Sequence, residues 1–113
     1  MATNDLLSKF EHLLENYFSN NSNLKLPTVE KLANELYVSS SYLSDMLRTV
    51  TGQNTQQHIH NKLIEKAKEI LTTTELNINE IAYQLGFGYS QSFSKLFKLK
   101  TNLSPIQYRN NYN

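Results

Sequence analysis

The amino-acid sequence predicts an all-α protein of about seven helices, because apolar residues recur at three- and four-residue spacing along most of the chain. No stretch alternates with the two-residue period of a half-buried strand. The chain also has only three Gly and two Pro among its 113 residues, too few for a turn-rich β fold. With 39% apolar residues, this length supports one domain, or two very small ones sharing a core.

The composition argues against several classes of protein. The absence of Cys excludes disulfides and thiolate metal sites, and fits a reducing compartment. The sequence has neither a signal-peptide pattern nor an apolar run near the ~18 residues of a membrane-spanning helix. We therefore expect a cytoplasmic protein with no membrane partner, no metal and no cofactor.

Positive charge is concentrated in the second half of the chain. The formal net charge is only +1. Residues 1–61 nevertheless contain four Lys or Arg against six Asp or Glu, whereas residues 62–113 contain seven against four. Between Lys95 and Arg109 there are four basic residues and no acidic one. A basic segment of this kind suits contact with phosphate groups, although a solvated surface explains it as well.

The first third of the chain predicts an amphipathic helix and a short capped helix. The first helix starts at Asp5 after a frayed start at residues 1–4, and ends in the polar break NNSNLK at residues 20–25. We expect the apolar face of this helix to pack against its own domain and not to form a dimer interface. Its apolar residues are Leu6, Leu7, Phe10, Leu13, Leu14, Tyr17 and Phe18. Thr28 is the N-cap of the next helix, which faces Val29, Leu32, Ala33 and Leu36 inward.

Capping signals predict where the third and fourth helices begin and end. Ser39 caps the third helix and Gly52 ends it. On or near its buried side lie Tyr42, Leu43, Met46, Leu47 and Val50. A long helix then runs from Thr55 to about Thr72, with Ile59, Leu63, Ala67, Ile70 and Leu71 as its apolar stripe.

Three further helices follow. Asn77 with Glu80 forms a capping pair for the fifth, which ends at Gly86. The sixth has an apolar side made of Phe93, Leu96, Phe97 and Leu99. Ser104, followed by Pro105 and Gln107, opens the seventh.

The sequence contains an internal repeat. Leu32-Ala33 and Leu36-Tyr37-Val38 match Ile81-Ala82 and Leu85-Gly86-Phe87, and Leu43, Leu47 and Thr51 match Phe93, Phe97 and Thr101. Gly52 corresponds to Asn102, which also tolerates the left-handed conformation. Each copy predicts two short helices joined by a tight turn, the helix-turn-helix motif that reads the DNA major groove. The connecting helix would span about 25 Å, which with its flanking turns suits two major-groove segments about 34 Å apart.

These residues give the chain a resemblance to the DNA-binding domain of the AraC/XylS family of bacterial transcription regulators, over residues 27–109. The residues that carry it are Leu32-Ala33, Ser39, Tyr42-Leu43, Thr51-Gly52, Lys66-Ala67-Lys68, Leu71, Ile81-Ala82, Leu85-Gly86-Phe87, Ser92-Phe93-Ser94, Phe97-Lys98, Ser104-Pro105 and Tyr108-Arg109. The resemblance implies binding to double-stranded promoter or operator DNA, with RNA polymerase as a further partner. It also implies an effector-binding or dimerisation domain outside this chain, which would make the chain a piece of a longer regulator.

The resemblance and the repeat together predict four segments. Residues 1–26 form the N-terminal helix and connector, and residues 27–54 form the first helix-turn-helix unit. Residues 55–73 form the linker helix, and residues 74–113 form the second unit with a C-terminal capping helix.

Four residues depart from the family pattern at positions where basic residues or Gly are frequent: Tyr37, Asp45, Leu63 and Asn102. Because Asp45 repels phosphate, we expect the second unit to supply more of the affinity.

The predicted DNA contacts lie on the second helix of each unit. In the second unit they are Ser90, Gln91, Ser94, Lys95 and Lys98. Gln91 is suited to adenine, Lys95 to guanine and Lys98 to phosphate. In the first unit they are Ser40, Ser41, Ser44, Asp45 and Arg48. There the serines would reach bases, Asp45 would accept from cytosine N4, and Arg48 would meet phosphate.

Two other functions compete with DNA binding. A helical protein-interaction module fits the acidic first helix and the low net charge. Catalysis is the weakest alternative, because His58 and His60 lie on different faces of a helix and His12 has no companion nucleophile.

Five aromatic residues could either stack on DNA bases or pack in the core, and their spacing favours the core. They are Tyr42, Phe87, Phe93, Phe97 and Tyr108.

Overall fold

A computed structural model describes residues 3–19 and 26–112 and contains seven α-helices over those residues. The helices are α1 (Thr3–Ser19), α2 (Val29–Glu35), α3 (Ser40–Thr51), α4 (Thr55–Thr73), α5 (Ile78–Gln84), α6 (Ser90–Thr101) and α7 (Pro105–Tyr112). The described ranges contain no strand. The predicted all-α class is therefore confirmed, whereas the predicted break at residues 20–25 lies outside the described residues.

The chain divides into two compact units, with the boundary inside α4. The first unit consists of α1, α2, α3 and the part of α4 that ends at Lys62. The second begins at Leu63 and contains the rest of α4 with α5, α6 and α7. None of the helices, over the residues described, is both long enough and apolar enough to cross a membrane.

The first unit is built around the apolar faces of its helices. Its buried residues are Leu6, Phe10, Leu14, Phe18, Leu32, Ala33, Leu36, Leu43, Met46, Leu47 and Ile59. The hydroxyl of Thr28 accepts from the backbone N–H of Lys31, and that of Ser39 accepts from Tyr42. These bonds satisfy N–H groups that a helix leaves without partners in its first turn, so both predicted caps are confirmed.

The second unit has a core of its own, to which α4 contributes Leu63, Ile64, Ala67 and Leu71, and α5 and α6 contribute Ile81, Ala82, Phe93 and Phe97. Asn77 and Glu80 exchange two hydrogen bonds between side chain and backbone at the start of α5. Ser104 and Gln107 exchange two in the same way at the start of α7. Both predicted capping pairs are confirmed.

The turn inside each helix-turn-helix has the same hydrogen bonds. In the first, Val38 N–H donates to the Ala33 carbonyl and Tyr37 N–H donates to Asn34. In the second, Phe87 donates to Ala82 and Gly86 donates to Tyr83. This is the Schellman arrangement, in which the residue after the helix takes a left-handed conformation. The left-handed residue changes the direction of the backbone, so each turn determines where the following helix begins.

Several predicted details were wrong. The first helix begins at Thr3, so residues 3 and 4 are not a frayed start. Leu99 is 75% exposed because, two residues beyond Phe97, it lies about 200° further around α6. Tyr42 is 52% exposed and Val50 is also exposed, so neither belongs to the core. The other four aromatic residues assigned to the core contact one another in sequence: Phe87 with Phe93, Phe93 with Phe97, and Phe97 with Tyr108.

Candidate nucleic-acid interface

Three long polar side chains lie exposed on the outer side of α6. Gln91, Lys95 and Lys98 follow each other at spacings of four and three residues, which places them along one side of the helix. Within the described residues, no carboxylate comes within ion-pair distance of either lysine. Ser90 and Ser94 are only partly exposed, because they flank the buried side on which Phe93 and Phe97 lie. This side of α6 thus presents two cations and an amide to solvent.

One of the four basic residues between positions 95 and 109 is occupied in a structural contact. Arg109 donates from Nε to the carbonyl of Leu71 over 3.0 Å, and from Nη2 to the carbonyl of Thr74 over 3.3 Å. These carbonyls lie at the end of α4, where a helix leaves C=O groups without intrahelical partners. Arg109 therefore caps α4 and is not part of the basic surface of α6.

The outer side of α3 has a different chemistry. Ser41, Asp45 and Arg48 are exposed, and Arg48 Nη1 donates to Asp45 Oδ1 over 3.1 Å. This ion pair neutralises the single cation on the helix. The outer side of α3 is therefore close to neutral, whereas that of α6 is positive.

The remaining two serines predicted to contact DNA on α3 are less available. Ser44 Oγ lies 2.8 Å from Oγ1 of Thr55, which is fully buried at the start of α4. Ser40 is only partly exposed. The hydroxyl of Ser44 thus helps to hold α3 against α4, a role that its neighbours in sequence do not reveal.

Four residues that the sequence reasoning missed share these outer sides. Ser92 and Leu99 are exposed on α6, next to Lys95, and Tyr42 and Thr49 occupy the corresponding exposed positions of α3. Counting 100° per residue from the buried phenylalanines would have found Ser92 and Leu99. On α3, Tyr42, Asp45, Met46, Thr49 and Val50 line a shallow concave region of about 230 Å³.

The structural repeat extends further than the sequence comparison indicated. Asn54 and Gln57 exchange side-chain and backbone hydrogen bonds at the start of α4, as the corresponding residues do at the start of α7. Thr51 and Thr101, which the sequence comparison had already paired, each donate from the hydroxyl to the carbonyl four residues earlier, Leu47 or Phe97. The pairs Asn54 with Ser104 and Gln57 with Gln107 could have been found from their spacing. Both α3 and α6 are therefore followed by the same junction.

His58 and His60 on α4 each contact a nearby polar side chain, Thr51 and Gln56 respectively. Among the described residues, no group of three or more His, Cys, Asp or Glu side chains is placed to hold a metal ion. Oγ1 of Thr51, which donates to the carbonyl of Leu47, lies 2.8 Å from Nε2 of His58. Burial lowers the pKa of His58, while the charge of Glu11 and a hydrogen bond to the backbone at Gln53 oppose that shift.

Known proteins match this chain in sequence and in structure. A family model described as "Helix-turn-helix domain" matches residues 32–111. "Histidine kinase P4" of Formosa agariphila is 36% identical over 78 residues, covering 69% of this chain and 6% of that protein. "HTH-type transcriptional activator RhaS" of Salmonella arizonae is 34% identical over 80 residues, covering 71% of this chain and 29% of that protein. The chain thus spans less than a third of the length of either relative.

Two solved structures have the same fold. The C-terminal domain of AraT, a response regulator from Geobacillus stearothermophilus, is 35% identical, with a TM-score of 0.81 over 94% of this chain and 84% of that one. The DNA-binding domain of AdpA, solved in complex with a target DNA, is 24% identical, with a TM-score of 0.78 over 95% and 91%. At that identity the AdpA structure supports the fold alone.

The duplicated helix-turn-helix and the exposed polar sides of α3 and α6 define a DNA-binding module. The chain belongs to the AraC/XylS family of helix-turn-helix domains, which form the DNA-binding part of bacterial transcription regulators.

Proposed function

We propose that this chain binds double-stranded DNA in a sequence-specific manner, with α3 and α6 reading two successive major-groove segments of a promoter or operator. The observation that carries the proposal is the outer side of α6, where Gln91, Lys95 and Lys98 are exposed. In the described part of the chain, no carboxylate forms an ion pair with either lysine. Such a helix brings to the groove the side chains that pair with adenine, guanine and phosphate.

Each predicted contact on α6 has a distinct role. Gln91 lies in the first turn, where a recognition helix approaches base edges, and its amide matches adenine N6 and N7. Lys95 lies one turn further and donates to guanine O6 or N7. Lys98 lies in the last turn and contacts a phosphate, which positions the helix but specifies no base. Ser90 and Ser94 make shorter-range contacts at the edge of this surface.

The first unit contributes less affinity in this proposal. Its recognition helix has a neutral outer side, and Ser41, Asp45 and Arg48 are the residues that reach DNA. The affinity that depends on salt comes from the second unit, because release of counterions requires cations that contact phosphates. The linker and segment boundaries at residues 26, 54 and 73 remain part of the proposal.

The wider context is also proposed. The chain acts in the cytoplasm on nucleoid DNA, as part of a longer regulator whose other segments bind an effector or dimerise, and which contacts RNA polymerase. Binding requires no cofactor and the chain is not an enzyme. The relatives that extend well beyond the matched region support this view, since the chain spans 29% of one and 6% of another.

Selection from a random duplex library tests the proposal. The chain is incubated with the library at near-physiological salt, bound duplexes are sequenced, and the enriched duplex is titrated at several salt concentrations. We expect a motif with two short blocks about one helical turn apart. Weak binding that enriches no motif and falls steeply as the salt concentration rises would contradict sequence-specific recognition. It would favour a protein-interaction module instead.

A further inference from the structure

The outer side of α3 carries an ion pair that α6 lacks. Arg48 and Asp45 are three residues apart, so they are neighbours on the helix surface, and their charged groups are 3.1 Å apart. Both side chains remain mostly in water, with exposures of 57% and 74%. An exposed ion pair adds little to folding stability, because water and salt screen it. Its effect is therefore greater on what α3 binds than on how it folds.

The pair also fills the centre of the polar surface. Ser44 is engaged with Thr55, and Ser40 is partly covered, so Ser41, Asp45 and Arg48 are the most accessible of the five predicted contacts on α3. Arg48 is the only one among these three with several hydrogen-bond donors. Among these three, Arg48 is therefore the side chain that can donate two hydrogen bonds to one base.

The chemistry of the pair favours a base over a phosphate. A guanidinium has five N–H donors in one plane, and the bond to Asp45 leaves the others for a second, two-pronged contact. A carboxylate beside it repels phosphate, which disfavours a backbone contact. A side chain already held in place also loses less conformational freedom on binding. The acceptor pair that fits a guanidinium in the major groove is guanine O6 and N7.

We propose that Arg48 reads a guanine in the DNA segment facing α3, and that Asp45 is the positioning residue that orients it. The inference rests on the proposed function, because it requires α3 in the major groove. It replaces the expectation that Arg48 contacts phosphate. The corresponding positions of α6 are Lys95 and Lys98, whose ammonium groups lack the planar fork. The first unit thus adds a base-specific contact of its own, whereas the second unit supplies most of the affinity.

Parallel selections test this assignment. Wild type, Asp45→Asn, Asp45→Glu, Arg48→Lys and Glu35→Gln are each incubated with the same random duplex library, and enriched duplexes are sequenced. Wild type should prefer guanine by about tenfold or more at one position of one block. Asp45→Asn and Arg48→Lys should both reduce that preference to below about threefold, with the other block unchanged. Asp45→Glu, which keeps the carboxylate, should retain most of it.

Glu35→Gln is the matched control, since it removes one exposed negative charge from the first unit without touching α3. It should leave the guanine preference intact. Guanine preference that survives in Asp45→Asn would overturn the positioning role. Equal weakening on all sequences in Arg48→Lys would make Arg48 a phosphate contact and overturn the assignment. If wild type enriches no motif although its circular dichroism is that of a folded helical protein, the proposed function itself fails. The circular dichroism of each variant separates a lost guanine preference from misfolding.

Discussion

Tyr37 holds the same left-handed position in the first turn that Gly86 holds in the second, with φ angles of 59° and 92°. Both turns need this conformation to make the Schellman hydrogen bonds, and a residue with a Cβ adopts it at a cost. The Tyr37 ring does not compensate through packing, because the residue is 94% exposed. The turn of the first unit is thus strained where that of the second is relaxed.

Tyr37→Gly should stabilise the protein by about 0.5–1 kcal/mol, since relief of the left-handed strain outweighs the greater flexibility of Gly in the unfolded chain. Urea denaturation followed by circular dichroism measures this change. Tyr37→Ala is the control, because it removes the exposed ring but keeps the Cβ, and should leave stability nearly unchanged. Gly86→Ala should destabilise by about 1–2 kcal/mol. A lower midpoint for Tyr37→Gly would show that the ring makes a stabilising contact.

Arg109→Ala should destabilise the second unit by about 1.5–3 kcal/mol, because two carbonyls at the end of α4 lose a charged donor. Thermal unfolding followed by circular dichroism measures the loss. Arg48→Ala is the matched control, since its ion pair is exposed, and should change stability by less than about 0.5 kcal/mol. Equal effects of the two substitutions would contradict a capping role for Arg109.

Acidification should destabilise the first unit through His58. Burial holds the pKa of His58 below the ordinary value of 6.5, so the unfolded chain binds more protons than the folded one between the two pKa values. Stability contributed by His58 is therefore fully present above pH 6.5 and is lost as the pH falls towards the folded-state pKa. Glu11 and the backbone at Gln53 reduce this loss because both favour the charged ring.

Urea midpoints of wild type and His58→Gln at pH 7.5 and pH 5.5, about one unit on either side of the ordinary histidine pKa, measure this contribution. The wild type should lose more stability on acidification than the variant does. His12→Gln serves as the control because His12 is exposed on α1, and it should follow the wild type. A pH dependence that is identical in wild type and His58→Gln would mean that protonation of His58 has no effect on folding.

Lys95→Ala and Lys98→Ala should weaken DNA binding in different ways. Loss of Lys95 should cost roughly 1–3 kcal/mol and relax specificity at one base position. Loss of Lys98 should weaken binding about equally on all sequences and reduce the salt slope by about 1. Fluorescence anisotropy on the selected duplex and its point variants, at several salt concentrations, distinguishes the two. Uniform weakening by Lys95→Ala would make it a second phosphate contact.

Local signals in the sequence predicted most of the fold. The capping residues Thr28, Ser39, Asn77 and Ser104 each act through contacts within four residues, and the structure confirms all four. The repeat predicted α3, α6 and the left-handed stop at Asn102, whose φ is 66°. Short-range hydrogen bonding and helical periodicity are encoded locally, so they can be read without knowing the fold.

The residues that were misjudged depend on contacts distant in sequence or on fine differences in helical angle. Arg109 was counted with the basic surface because its partners are 35 and 38 residues away. The hydrogen bond of Ser44 to Thr55 was not predicted because it joins two helices. Leu99 was assigned to the core on hydrophobicity alone, although its angle around α6 places it outside. The predicted DNA contacts themselves remain predictions.

Methylation interference on the selected duplex tests the central claim most directly. Guanine N7 lies in the major groove, so methylating it blocks a recognition helix that enters there. If α3 and α6 each read a segment, methylated guanines should interfere in two clusters about one helical turn apart, and Lys95→Ala should change the pattern in one cluster alone. Interference confined to one cluster would contradict reading by two helices. Interference only from ethylated phosphates would contradict base recognition altogether.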